Sequence, residues 1–417
     1  MSAKKVFHWI FYLIAVAGIF VSEKYYNRYL FELSIPFIKE LQGYTSQPII
    51  TSFFKLTTLL GGRLVLIKVF VTILFFPIHK AFMLIFILAH CAVLEGVLQI
   101  VYHEPRPFYI DPNISPNLCV GDYGNPSGHG VQSVSVYLSF WHLATDDIKL
   151  RDKNIFRLFT LFGYFVMIIF ILFSRLILGV QTLNQLLYGV CIGFAFYYLF
   201  FILLDYHKHT GETFFTEMQS PAHKSFYSLL MILSTGALIF VFVYYRKLDN
   251  TIWVQVLQQK CPEIIENQMF NNQAFIYGLK YFMFIGTYAG IQLLTQASKE
   301  KYLGDMSFRW NEINDWNVTG FTNGFLRTIF IISISAIPIS AQIFIPISYN
   351  YWLIVALKFI LPYFIMFILI FSIGIHFSIG LGIANPEIGK TKNKYAVNLD
   401  LDDSNENENE EEKILMI

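Results

Sequence analysis

The chain has 417 residues, of which 55% are hydrophobic, 18% aromatic and only 14% charged, with a mean hydropathy of +0.51. Soluble globular domains carry about 25% charged residues, so this composition excludes an ordinary soluble protein and points to a chain that crosses a membrane repeatedly. The 30 Lys and Arg against 29 Asp and Glu leave a net charge of +1, and without a basic cluster interleaved with aromatics a nucleic-acid partner is excluded as well.

Apolar runs near the ~20 residues needed to cross a bilayer fall at 6–21, 64–79, 81–103, 129–147, 158–174, 181–203, 224–245, 272–296, 324–345 and 351–375. They predict an all-α, polytopic transmembrane helical bundle of about nine to ten spans. The first run follows Lys4 and Lys5 and contains Ala15-Val16-Ala17, a pattern that fits either a span or a cleaved signal segment. Behind it, Phe37, Ile38, Leu41, Phe53, Phe54 and Leu59 stand among polar residues and predict an amphipathic stretch lying on the membrane surface up to residue 62. At the other end, residues 385–417 hold 4 basic and 9 acidic residues, leaving a body of net charge +6. That tail is too polar to bury a core and is expected to be disordered.

Cytosolic loops carry an excess of Lys and Arg. Lys149, Arg151, Lys153 and Arg157 in the 148–157 loop, and Lys208 and Lys224 in the 206–224 loop, assign both loops and the acidic tail to the cytosol. Loops 104–128, 175–180 and 246–271 then face the lumen or exterior. Cys119 and Cys261 both fall on that oxidising side, which makes a disulfide between them possible, with two free thiols as the alternative. Four cysteines without a CxxC or Cys/His spacing suggest neither a disulfide scaffold nor zinc.

Three polar motifs interrupt the apolar pattern: Glu104-Pro105-Arg106-Pro107, Asn125-Pro126-Ser127-Gly128-His129 and Ser174-Arg175. Each stands at the non-cytosolic end of an expected span, so one membrane face receives all three. Arginine forks match phosphate oxygens bidentately. Ser127 and the backbone around Gly128 offer further donors, and His129 suits proton delivery to a leaving alkoxide. Together they form a candidate phosphate-ester site.

The residues Tyr123-Gly124-Asn125-Pro126-Ser127-Gly128-His129, with Arg106-Pro107 before and Ser174-Arg175 after, resemble the type 2 phosphatidic acid phosphatases. That family includes lipid phosphate phosphatases, glucose-6-phosphatases, dolichyl diphosphatases and sphingosine-phosphate phosphatases. The resemblance implies a family core at 63–210, an N-terminal unit at 1–62, additional transmembrane spans at 211–384 and the tail at 385–417. It implies phosphate binding by Arg106, Ser127, Gly128 and Arg175, with His129 as general acid and no metal or cofactor. Its partners would be the lipid bilayer and a phosphorylated lipid or small phosphate ester, in the endoplasmic reticulum or plasma membrane.

Three positions depart from the family pattern. Gln181 stands where the family carries its histidine nucleophile, and an amide nitrogen whose lone pair is delocalised into the carbonyl does not attack phosphorus. Gln99 stands at the lysine position and removes a positive charge, while Gln185 stands at the position that orients the nucleophile. His103, three residues before Arg106, is the one candidate stand-in nucleophile. Glu95, four residues before Gln99 on the same helical face, is an intramembrane carboxylate and hence either a functional group or a protonated packing residue. Three readings therefore stand together: a catalytically impaired family member, an active phosphatase with a rearranged site, and a transporter or channel on the same bundle.

Overall fold

A computed structural model describes residues 3–45, 47–62, 65–145, 153–204, 217–218, 220–245, 251–264, 269–301, 316–345 and 350–381. The acidic tail and most of the two loops expected in the cytosol lie outside the described residues. Those described form helices and connecting turns with no strand among them, as a lipid setting requires, because helices satisfy every backbone group within one segment.

The helices in chain order are α1 (Ala3–Tyr44), α2 (Pro48–Gly61), α3 (Val65–Phe75), α4 (Ile78–Tyr102), the short α5 (Pro107–Ile110), α6 (Gly128–Thr145), α7 (Lys153–Ile177) and α8 (Leu183–Tyr198). There follow α9 (Pro221–Tyr244), α10 (Thr251–Lys260), α11 (Phe270–Gly278), a 3₁₀ turn at Leu279–Tyr281, α12 (Phe282–Lys301), α13 (Trp316–Phe344) and α14 (Tyr351–Gly374). Sequence signals set several of these boundaries. Pro77 disfavours helical backbone at Phe76 and separates α3 from α4. Pro107 and Pro221 occupy first-turn positions, where the missing N–H has no helical partner to lose.

α4 is the axis of the bundle. Its apolar window is 83% buried, and α3, α6, α9, α11 and α12 all pack on it. The outer helices behave oppositely: the windows of α7 and α9 are 11% and 17% buried. Their exposed Phe159, Phe162, Ile169, Phe226, Ile232 and Phe240 form apolar faces that water would not tolerate on a monomer but lipid does.

One expectation changes. Residues 22–44 are no separate surface stretch, because α1 runs unbroken for 42 residues, roughly 63 Å at 1.5 Å per residue. Polar residues that end the apolar run do not end the helix: Arg28 pairs with Glu32 at 2.9 Å on its exposed side, while Asn27, Ser34 and Gln42 reach inward to the loops of other helices. The span count is met only in part. Among the described residues six helices are long and apolar enough to cross a membrane, or seven if α2 and α3, bent by 46°, are one broken span. The expected count of nine to ten is not confirmed among the described residues, where α3 alone has 11 residues, α6 carries Gly, Ser, Gln and His, and the 272–296 run is broken by the turn at Leu279–Tyr281.

Candidate functional site

The three polar motifs converge. α4 closes at His103, whose left-handed backbone (φ 36°) ends the helix while its N–H still bonds to Gln99 O. The chain then turns through Pro105 into Arg106, which is 2% exposed. Its Nε donates to Asp122 O at 3.0 Å and its Nη2 to Asp122 Oδ1 at 2.5 Å, with Nη1 on Val180 O. Asp122, unmarked by any motif, therefore fixes the plane of this guanidinium as a charge-assisted fork.

Arg175 ends α7 and is fixed differently. Its Nε donates to Gln181 Oε1 at 3.1 Å and its Nη1 to Thr58 Oγ1 of α2 at 3.0 Å. The Ser127 hydroxyl donates to the same Gln181 Oε1 at 2.7 Å and accepts from Gly130 N at 3.1 Å. Ser127 thus stands behind Gln181 rather than toward the space that a phosphate would occupy. Gln181 is itself held as an acceptor by two donors.

Gln99, Arg106, Gly128, His129, Arg175 and Gln181 border a cavity of about 480 Å³, with Thr58 and Asp122 also in its walls. His129 leans on the end of α2, where a side chain at Gly62 would meet its Nε2 at 3.1 Å. Gln99 donates to Pro126 O at 3.2 Å, and its buried Oε1 has no hydrogen-bond partner among the described residues. Glu95 also borders the cavity and accepts from Gln132 Nε2 at 2.7 Å. A Cβ at Gly128 would overlap the Glu95 carboxylate, so a side chain there would force that carboxylate to shift. The far wall comes from the C-terminal half of the chain, through Gln273, Tyr277 and Lys280.

A second polar cluster lies behind the loops. Glu104 accepts four amide hydrogen bonds: Oε1 from Asn184 at 2.7 Å and Gln185 at 2.8 Å, Oε2 from Asn27 at 2.8 Å and Asn125 at 2.9 Å. It joins α1, the Arg106 loop, the Ser127 loop and α8. Gln185 belongs to this cluster. Its Oε1 accepts from Thr182 N in a capping box, and its amide also donates to Pro105 O at 2.9 Å, so its side-chain hydrogen bonds hold the Arg106 loop. His103 is outside the cavity walls, its Nδ1 bonded to Val101 O at 3.0 Å, which removes it as a stand-in nucleophile. Cys119 and Cys261 are joined by a disulfide across 142 residues, tying the loop that carries Asp122 to the end of α10.

Asp122, Thr58 and Lys280 are the site residues that sequence reasoning missed. Lys280 alone left a signal, being a charged residue in the middle of an apolar run.

A family model described as the PAP2 superfamily matches residues 80–209. No curated protein and no solved structure matches the chain. The matched segment begins in the first turn of α4, extends beyond α8, and contains Gln99, Arg106, Ser127, Gly128, His129, Arg175, Gln181 and Gln185. Residues 80–209 thus form a PAP2-superfamily segment, set in a chain whose described residues include six helices long and apolar enough to cross a membrane.

Proposed function

We propose that the cavity binds the phosphate group of a phosphorylated lipid or small phosphate ester at the non-cytosolic membrane face, and that it does so without the family's covalent turnover. The observation that carries this reading is Gln181. At the nucleophile position the cavity meets an amide whose oxygen is occupied by Ser127 and Arg175. Around it the anion-binding groups Arg106, Arg175 and His129 are retained. Loss of a central catalytic group typically costs several orders of magnitude in rate, whereas binding by guanidinium groups needs no nucleophile.

Purified full-length protein is expected to bind inorganic phosphate and to release none from phosphatidate, lysophosphatidate, sphingosine phosphate, dolichyl diphosphate or glucose 6-phosphate. Turnover above about 1 s⁻¹, within the range of working enzymes, would overturn the reading. One observation favours an active alternative, since Glu95 and His129 border the same cavity. A carboxylate taking a proton from an attacking water and an imidazolium returning one to the leaving oxygen would hydrolyse an ester directly. In that case Glu95→Gln and His129→Ala each abolish a measurable activity and no phospho-enzyme is trapped.

A further inference from the structure

The superfamily segment ends at residue 209, yet one wall of the cavity is built by residues 273–280. Packing explains how that wall arrives. Gly96 on α4 and Gly278 at the end of α11 approach so closely that a Cβ at Gly96 would meet Gly278 Cα at 3.3 Å and Ala274 O at 2.8 Å. Small residues at such a crossing let helix backbones come together in a membrane. The helix then tightens into the 3₁₀ turn Leu279–Tyr281, which packs on α4 and turns Lys280 into the cavity beside the Glu95–Gln99 face. Its ammonium lies 5.2 Å from the centre of the Tyr277 ring, makes no hydrogen bond or ion pair among the described residues, and is within electrostatic range of Glu95 and His129.

We infer that Lys280 is a phosphate-binding residue, supplying from the C-terminal half the positive charge absent at Gln99, so that the anion pocket is a composite of two segments and incomplete without residues 273–280. A lysine ammonium on a flexible stem serves as a movable point charge for phosphate, while the two arginines, each fixed by protein acceptors, define its seat. This inference rests on the phosphate-binding reading and adds a residue and a second chain segment to it. A structural role is the competing explanation, with Lys280 only neutralising Glu95.

The test measures binding of inorganic phosphate to the full-length protein in detergent micelles, by titration calorimetry, with thermal unfolding as the check on folding. A charge-assisted contact typically contributes enough for a ten- to roughly hundred-fold change in affinity. Lys280→Gln is expected to weaken phosphate by that factor, Lys280→Arg to retain most of it, and the double variant Lys280→Gln/Gln99→Lys to recover it by returning the ammonium to the first motif. Unchanged affinity in Lys280→Gln overturns the inference while leaving the site reading intact. Equal recovery by Lys280→Gln/Glu95→Gln also overturns it, since net charge alone would then suffice. If the wild-type protein binds no phosphate, the site reading and the inference fall together.

Discussion

Two glutamates nine residues apart on either side of the α4 terminus have opposite surroundings. Glu104 receives four side-chain amides from three parts of the chain, while Glu95, one-twentieth exposed, receives one amide from Gln132 and otherwise faces the cavity. A saturated, partly buried carboxylate holds structure together, because its lone pairs are occupied and removing it leaves an N–H of each donor unsatisfied. A buried carboxylate with spare acceptor capacity at a cavity wall is available to a ligand. Local hydrogen bonding distinguishes the carboxylate that ties the loops together from the one at the cavity wall.

The comparison is most directly broken at Glu104. Glu104→Ala takes from the amides of Asn27, Asn125, Asn184 and Gln185 one of the two acceptors each has, leaving only Glu23, Asn27 or Pro105, and should destabilise the protein by at least about 3 kcal/mol, since each N–H left unsatisfied costs about 1–3 kcal/mol. A melting temperature within a degree or two of wild type would show that the cluster does not hold the loops. Gly128→Ala comes next. Its methyl overlaps the Glu95 carboxylate, and overpacking costs about 1–3 kcal/mol, with phosphate affinity expected to fall at least tenfold. Gly163→Ala, with open space around it, is the neutral control.

Glu95→Gln sharpens the comparison from the other side. It removes a negative charge from the cavity wall at nearly constant volume, so phosphate binding should strengthen several-fold in calorimetry with little change in unfolding temperature. A loss of stability comparable to that of Glu104→Ala would erase the distinction between the two residues. The smallest effect belongs to a third carboxylate, Asp111, which pairs with Lys39 at 2.7 Å nearer the solvent. The hydrogen bond from Lys39 holds its carboxyl below the ordinary range. Its contribution is therefore present above about pH 4, is lost as pH falls through the lowered value, and should stay within about 1 kcal/mol. Asp111→Asn is expected to flatten the acid limb of the stability curve only slightly.

The sequence made visible the residues whose polarity stood out against apolar neighbours. Arg106, His129 and Arg175 converge on one cavity because their motifs lie at helix ends of one bundle, and the substitutions at Gln99 and Gln181 were legible for the same reason. Asp122 and Thr58 were not, since a single Asp in a polar loop or a Thr in a helix carries no pattern until a guanidinium is seen against it. Ser127 illustrates a different limit. Its motif fixed the residue and its place on the chain, but the direction of its hydroxyl depends on Gln181, 54 positions away. The length of α1 was hidden because Glu23, Lys24, Asn27 and Arg28 read as the end of a span, whereas Asn27 is used to reach Glu104.

The disulfide between Cys119 and Cys261 also has a bearing on when the protein becomes competent. The segment from α4 to α8 is synthesised long before Cys261 and Lys280 exist, so the loop holding Asp122 waits for its covalent partner and the cavity waits for its far wall. At usual synthesis rates of about 5–20 residues per second, the 71 residues from position 209 to position 280 take roughly 4 to 14 s. During that interval the nascent chain carries all three polar motifs and only part of the cavity, whose walls close only after the C-terminal half has been inserted.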